Sequence, residues 1–170
     1  MNGLIRLAGA LILVAVVSVT VSNSAAAAPS TKVTGGGTGT FGADLDGDGD
    51  IDGSHFGIGV NVASGGAANG HFECLMAGNA DILGLPNMAV SGKVTGGVVN
   101  SATNVTLTGV AKVILGNGNN FVGVPFIVTL TEGGAGAGTI QLHLMGGYAG
   151  GPGNFDLPVE HVATGRIDIQ

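Results

Sequence analysis

Apolar side chains recur at every second position through most of this chain, and that period fixes the class of fold. In NVTLTGVAKVIL, Val105, Leu107, Ala111, Val113 and Leu115 fall on one face, and Asn104, Thr106, Thr108 and Lys112 on the other. A helix would scatter these residues around its whole circumference, whereas an extended strand sorts them into two faces. In FVGVPFIVTLTE the same period places Val122, Val124, Phe126, Val128 and Leu130 inward. Pro125 in that run cannot donate a ladder hydrogen bond, so it predicts an edge or a bulge there. Phe56, Ile58, Val60 and Val62 repeat the pattern, as do Ile140, Leu142 and Leu144, and finally Ile167 and Ile169.

Clusters of Gly and Asn break these runs every 10 to 15 residues or so, the spacing of an all-β domain. The spacing predicts eight strands, at about 36–42, 55–63, 70–76, 88–96, 102–115, 121–132, 138–145 and 162–169. Short turns between consecutive strands require antiparallel pairing, because parallel strands need long crossovers. The expected fold is therefore all-β, a single antiparallel β-sandwich or flattened barrel. Its outer faces carry Thr, Asn and Gly, with few charges. Gly makes up 34 of 170 residues, yet the apolar alternation separates this chain from Gly-rich disorder.

The first residues have a different character. Arg6 precedes the apolar run LAGALILVAVVSVTV at 7–21, and SNSAAAAPS follows. The run is shorter than the roughly 20 apolar residues of a membrane span, and small residues at Ala25 and Ala27 suit signal peptidase. Residues 1–27 read as a signal peptide cleaved near Ala27, residues 28–35 as a linker, and residues 36–170 as the folded domain. The expected location is secreted, extracellular or periplasmic, with no membrane attachment after cleavage. Cys74 is the one cysteine, so no internal disulfide forms, and its apolar surroundings in HFECLM predict a buried hydrophobe.

Without Arg6, four basic residues stand against eleven acids, a formal charge of −7. No basic patch is present, which excludes nucleic acid as a partner class. Five of the acids crowd into DLDGDGDIDGSH, as Asp44, Asp46, Asp48, Asp50 and Asp52. Extended, their carboxylates would sit about 7 Å apart on one side of a strand, too far for one ion. Gly47 and Gly49 permit a turn back on itself that gathers the oxygens. Ca²⁺ takes six to eight oxygens at about 2.3–2.6 Å, so all five aspartates are candidate Ca²⁺ ligands within a loop at 44–55. In D-x-D-x-D-G order, Asp44, Asp46 and Asp48 take positions 1, 3 and 5, and Gly49 is the turn. Asp50 offers its carbonyl at position 7, and Asp52 stands at position 9. His55 occupies position 12, where an EF-hand needs a bidentate acid, and no helical pattern flanks the loop. The stretch resembles the D-x-D-G-D-G-x-x-D hairpin loop of integrin-type and FG-GAP repeats, which implies a calcium loop between two strands.

KVTGGGTGTFG, FGIGVNV, GGAANGHFECL, VSGKVTGGVV, VTLTGVAKV, FVGVPFIVTLTE and ATGRIDIQ follow one another in the order of a bacterial secreted β-domain. The set resembles the post-COAP-1-like modules over residues 33–170. That resemblance implies a small exported β-sandwich and carries over no catalytic activity, leaving function open. The chain departs from the family at TEGGAGAGTIQLHL, where Glu132 replaces a usual Asp and Thr139 a usual second acid.

No nucleophile elbow or phosphate loop is present, so the domain is read as no enzyme. His71, Glu73 and His143 lie on strand faces, and a Zn²⁺ site would need them on neighbouring strands, which spacing alone leaves open. The expected function is a secreted, non-catalytic surface module with a structural Ca²⁺ site. Its expected partner is an extracellular polysaccharide or a cell-surface protein. The alternatives are a calcium-assisted carbohydrate-binding β-sandwich, for which Phe121, Tyr148 and Phe155 are the available aromatic platforms, and a self-associating matrix component.

Overall fold

A computed structural model describes residues 29–76, 88–146 and 154–170. The apolar run at 7–21, the cleavage region and Tyr148 lie outside the described residues. Among those described, no helix forms. The strands are β1 (Ser30–Thr40), β2 (Gly53–Ala63), β3 (Ala67–Leu75), β4 (Met88–Ser101) and β5 (Asn104–Leu115). They continue with β6 (Asn120–Thr131), β7 (Gly133–Gly134), β8 (Thr139–Leu144), β9 (Phe155–Asp156) and β10 (Glu160–Ile169).

All ten belong to one antiparallel sheet, in the order β7-β10-β1-β2-β3-β4-β5-β6-β8-β9. A further pairing of β10 with β8, through Glu160↔Ile140 and His161↔Thr139, closes eight of them into a ring. The seam is short, so the ring is not a regular barrel. Closure removes the open edges of eight strands and, among the described residues, leaves the two-residue strands β7 and β9 at the margins.

The core lies inside the ring and follows the period-two reading closely. Val105, Leu107, Ala111, Val113 and Leu115 are all buried, as are Phe56, Ile58, Val60 and Val62. Ile140, Leu142, Leu144, Ile167 and Ile169 are buried too, and Cys74 joins the same core as a free thiol. Its large members meet across small ones. Phe72 on β3 and Phe126 on β6 stack with ring centroids 5.8 Å apart, although β4 and β5 lie between their strands. Gly92 on β4 and Gly109 on β5 make this possible. A Cβ on Gly92 would fall 2.6 Å from Phe126 Cε1, and one on Gly109 2.9 Å from the same atom.

Two expectations need correction. Val122 was placed inward but is 82% exposed. The pairing jumps from Ala111↔Val124 to Lys112↔Val122, leaving Gly123 as the extra residue, with φ of 78°. A bulge shifts the alternation by one, so Val122 turns outward beside Lys112. The bulge predicted from Pro125 therefore exists, two residues earlier. Second, β1 starts at Ser30 and includes residues 30–35, which had been read as linker. Lys32 exchanges two backbone hydrogen bonds with Gln170, at 2.7 and 2.9 Å, and Val33 is fully buried. The glycine run at 35–37 conceals a strand whose order comes from having β2 and β10 on its two sides.

Candidate metal centre

The acidic stretch is the connection between β1 and β2. Phe41 N–H donates to Asp52 O at 2.9 Å and Asp52 N–H donates to Ala43 O at 3.2 Å, which pinches the neck of the loop. Within it the carboxylates organise their own backbone. Asp44 accepts from Gly47 N–H at 2.6 Å through Oδ1 and from Gly49 N–H at 3.0 Å through Oδ2. Asp46 Oδ1 accepts from Asp48 N–H, and Asp48 Oδ1 from Asp50 N–H, both at 3.1 Å. The last two are Asx turns, and Gly47 and Gly49 alternate with them in the left-handed region, at φ of 83° and 99°. Nothing lies within 4 Å of where a Cβ would stand at either glycine, so conformation alone selects Gly there.

The outcome is a cluster. One oxygen each from Asp44, Asp46 and Asp48 lies within 4.8 Å of the others. Oxygens held about 2.3–2.6 Å from a common Ca²⁺ can be at most about 5 Å apart, so the three could hold one ion. This is the one group of three potential ligands among the described residues. Asp50 is exposed, and the Asp48 carboxylate beside it raises its pKa above the usual aspartate value.

Asp52 behaves differently from the other four. It is 1% exposed, an unusual position for a carboxylate. Its Oδ2 accepts from Leu45 N–H, which ties it to the turn between Asp44 and Asp46. Its Oδ1 is buried with no hydrogen-bond partner. An orphaned, buried carboxylate oxygen is costly unless something positive completes it. The donor set is all-oxygen and anionic, which matches a hard divalent cation and not a soft metal.

A second buried acid lies nearby in the fold. Glu160 is 3% exposed and accepts from Ser54 Oγ at 2.9 Å through Oε2, while its Oε1 has no partner. Its side chain crosses β1 at Gly39, where a Cβ would fall 2.5 Å from Glu160 Cγ. Burial raises the Glu160 pKa, and the Ser54 hydrogen bonds partly offset this. Burial likewise pushes the Cys74 thiol up to about 12, with Ser54 opposing and Glu160 adding. Nothing in the residues adjoining Glu160 in sequence marks it as part of a cluster of acids. Its signal was parity, for Glu160 shares the inward period of Val162.

The histidines do not assemble a site. His71 Nε2 lies 3.1 Å from both Glu73 Oε1 and Ser91 Oγ. Both contacts use one nitrogen, whereas a Ser-His-acid relay needs the two ring nitrogens on opposite partners. His143 Nδ1 pairs with Asp156 Oδ1 at 2.8 Å on β8 and β9. Strands β4, β5 and β6 separate β3 from β8 in the ring, so His71 and Glu73 do not meet His143. His55 is exposed on β2.

A cavity of about 460 Å³ opens at the other end of β1, lined by Pro29, Thr31, Val62, Ser64, Gly66 and Val98 among others. It contains no aromatic or charged side chain. Compared with known proteins, the chain matches no family model, no curated protein and no solved structure.

Proposed function

We propose that this is an exported, non-catalytic extracellular module whose first hairpin is locked by a structural Ca²⁺ ion. Asp44, Asp46 and Asp48 would supply carboxylate oxygens, Asp52 the buried one, and Asp50 its backbone carbonyl. The observation that carries the reading is Asp52, a carboxylate 1% exposed with one oxygen unpartnered, hydrogen-bonded into the turn that gathers the other three. Repulsion among the five acids, felt at Asp50, is what a cation would relieve. The motif likeness to calcium loops of integrin and FG-GAP type, and to post-COAP-1-like secreted domains, agrees with this reading.

The carbohydrate-binding alternative has less support. The cavity and the acidic loop lie at opposite ends of β1, about 30 Å apart at about 3.3 Å per residue. An ion in the loop would not orient the cavity, and the cavity offers no ring for a sugar to stack on.

Calorimetric titration of EDTA-treated protein with Ca²⁺, with a melt in each state, tests the proposal. One-site binding is expected, at an affinity of about 0.1–1 mM as in other extracellular modules. At tenfold excess over the dissociation constant, stability should rise by about 1.4 kcal/mol. Absence of both heat and stabilisation up to several times that range would reduce the loop to a solvated turn.

A further inference from the structure

We propose that the outer face of β3–β6 docks the acidic loop of a second copy of this chain. Strand register assembles that face. Leu75, Ala89 and Ile114 form one row across β3, β4 and β5. Glu73, Ser91, Lys112 and Val122 form the next row, and His71, Lys93, Val110 and Pro125 a third, with the Glu73 carboxylate held by His71 at 3.1 Å. Leu75 is 41% exposed, Val110 46%, Ile114 38% and Val122 82%. Nine large aliphatic residues are exposed among the described residues, and these are four of them. The Gly123 bulge creates the most exposed one by turning Val122 outward. Soluble surfaces rarely gather aliphatics in contiguous rows without a partner for them.

The face also holds Lys93 and Lys112, two of the five basic residues of the chain. The ion pairs among the described residues use Arg166, His71 and His143 instead, so neither lysine has a carboxylate within ion-pair distance there. The complementary surface is the acidic loop. Beside the buried Asp52 it presents Asp44, Asp46, Asp48 and Asp50, with Leu45, 43% exposed, and Ile51, 60% exposed, among them. Aliphatics with unpaired lysines on one side, and aliphatics with clustered carboxylates on the other, match in both charge and apolarity. A divalent ion in the loop would leave it net negative, so the inference stands independently of the calcium reading.

Other partners fit less well. With a formal charge of −6, the chain repels nucleic acid and anionic lipid as a whole. Pairing through strand edges has little to work with, since eight strands form the ring and the marginal strands β7 and β9 are two residues each. Because loop and face occur on every copy, a two-fold arrangement would use each of them twice.

Sedimentation velocity of the purified protein tests this at low and high salt. A dimer is expected at low ionic strength, weakened roughly tenfold or more by about 0.5 M salt, because screening acts on exposed charges. The variant Lys93→Glu/Lys112→Glu should be monomeric with an unchanged melting point, as both sites are exposed, and Val122→Ser should weaken the dimer. Mixing Lys93→Glu/Lys112→Glu with Asp46→Lys/Asp50→Lys should restore a heterodimer that neither forms alone. A monomer at low salt up to about 0.5 mM protein would overturn the proposal, as would a dimer indifferent to salt and to the lysine variants. Capture of anionic vesicles by a monomer through this face would overturn it as well.

Discussion

Replacing Gly92 by Ala should damage the fold through one contact only, and removing that contact should undo the damage. The three heavy atoms nearest a Cβ at Gly92 all belong to Phe126, at 2.6, 2.9 and 3.4 Å. Phe126 is fully buried and stacked on Phe72, so its ring cannot yield freely. Overpacking of this kind costs about 2 kcal/mol. Phe126→Ala alone should cost about 4 kcal/mol through lost burial and the cavity left behind. Independent effects would sum to about 6 kcal/mol, close to the whole stability of many domains. In the double variant the clash has no partner. The new methyl, roughly 25 Å³, also refills part of the cavity, a gain of about 0.6 kcal/mol at about 24 cal/mol per Å³. The double variant should therefore cost about 3.4 kcal/mol, a favourable coupling near 2.6 kcal/mol. Gly109→Ala is the control. A Cβ there meets Lys93 O at 2.1 Å as well as the Phe126 ring, and Phe126→Ala cannot move that backbone carbonyl. Urea unfolding of the four proteins measures the cycle. Additivity within about 0.5 kcal/mol, or equal rescue of Gly109→Ala, would refute the steric account.

Three further outcomes are expected. Asp48→Asn should remove most of the Ca²⁺-dependent rise in melting point while leaving the EDTA-treated protein as stable as before or slightly more so, because Asp48 is the main source of repulsion at Asp50. Glu160 has a folded-state pKa raised by burial above its ordinary 4.5, so its contribution is intact below that value and is lost as pH rises through the folded one. Melts across pH should show this decline in the native protein and a flatter profile in Glu160→Gln. Cys74, buried and pushed up to about 12, should resist iodoacetamide at pH 8 in the folded protein and react fully in denaturant.

The period-two pattern located the core because burial in a closed sheet is a matter of parity, as in β5, where each residue read as inward is buried. Parity fails where the backbone inserts a residue. Val122 was misplaced because a Gly123 bulge leaves no mark that distinguishes it from an ordinary strand glycine. The two-residue strands β7 and β9 carry no period at all. At the acidic loop, the spacing of Asp and Gly made the gathering of Asp44, Asp46 and Asp48 legible, since local turns create it. The burial of Asp52 was not legible, because it depends on pairing with Phe41 across the hairpin neck. Nor was the Ser54–Glu160 contact, which joins residues 106 positions apart.

The pairing of β1 with β10 also sets an order of events in time. A ribosome delivers β1 first and β10 last, yet β10 supplies both the second neighbour of β1 and the closing contacts with β8. Until residues 160–169 are free, every preceding strand can form its hairpin and the ring still stands open, with β1 and β8 as bare edges. Most of the contacts in such a topology are long-range, which slows folding and lengthens that exposed interval. A chain built this way acquires its closed form only once residues 160–169 are in place between β1 and β8.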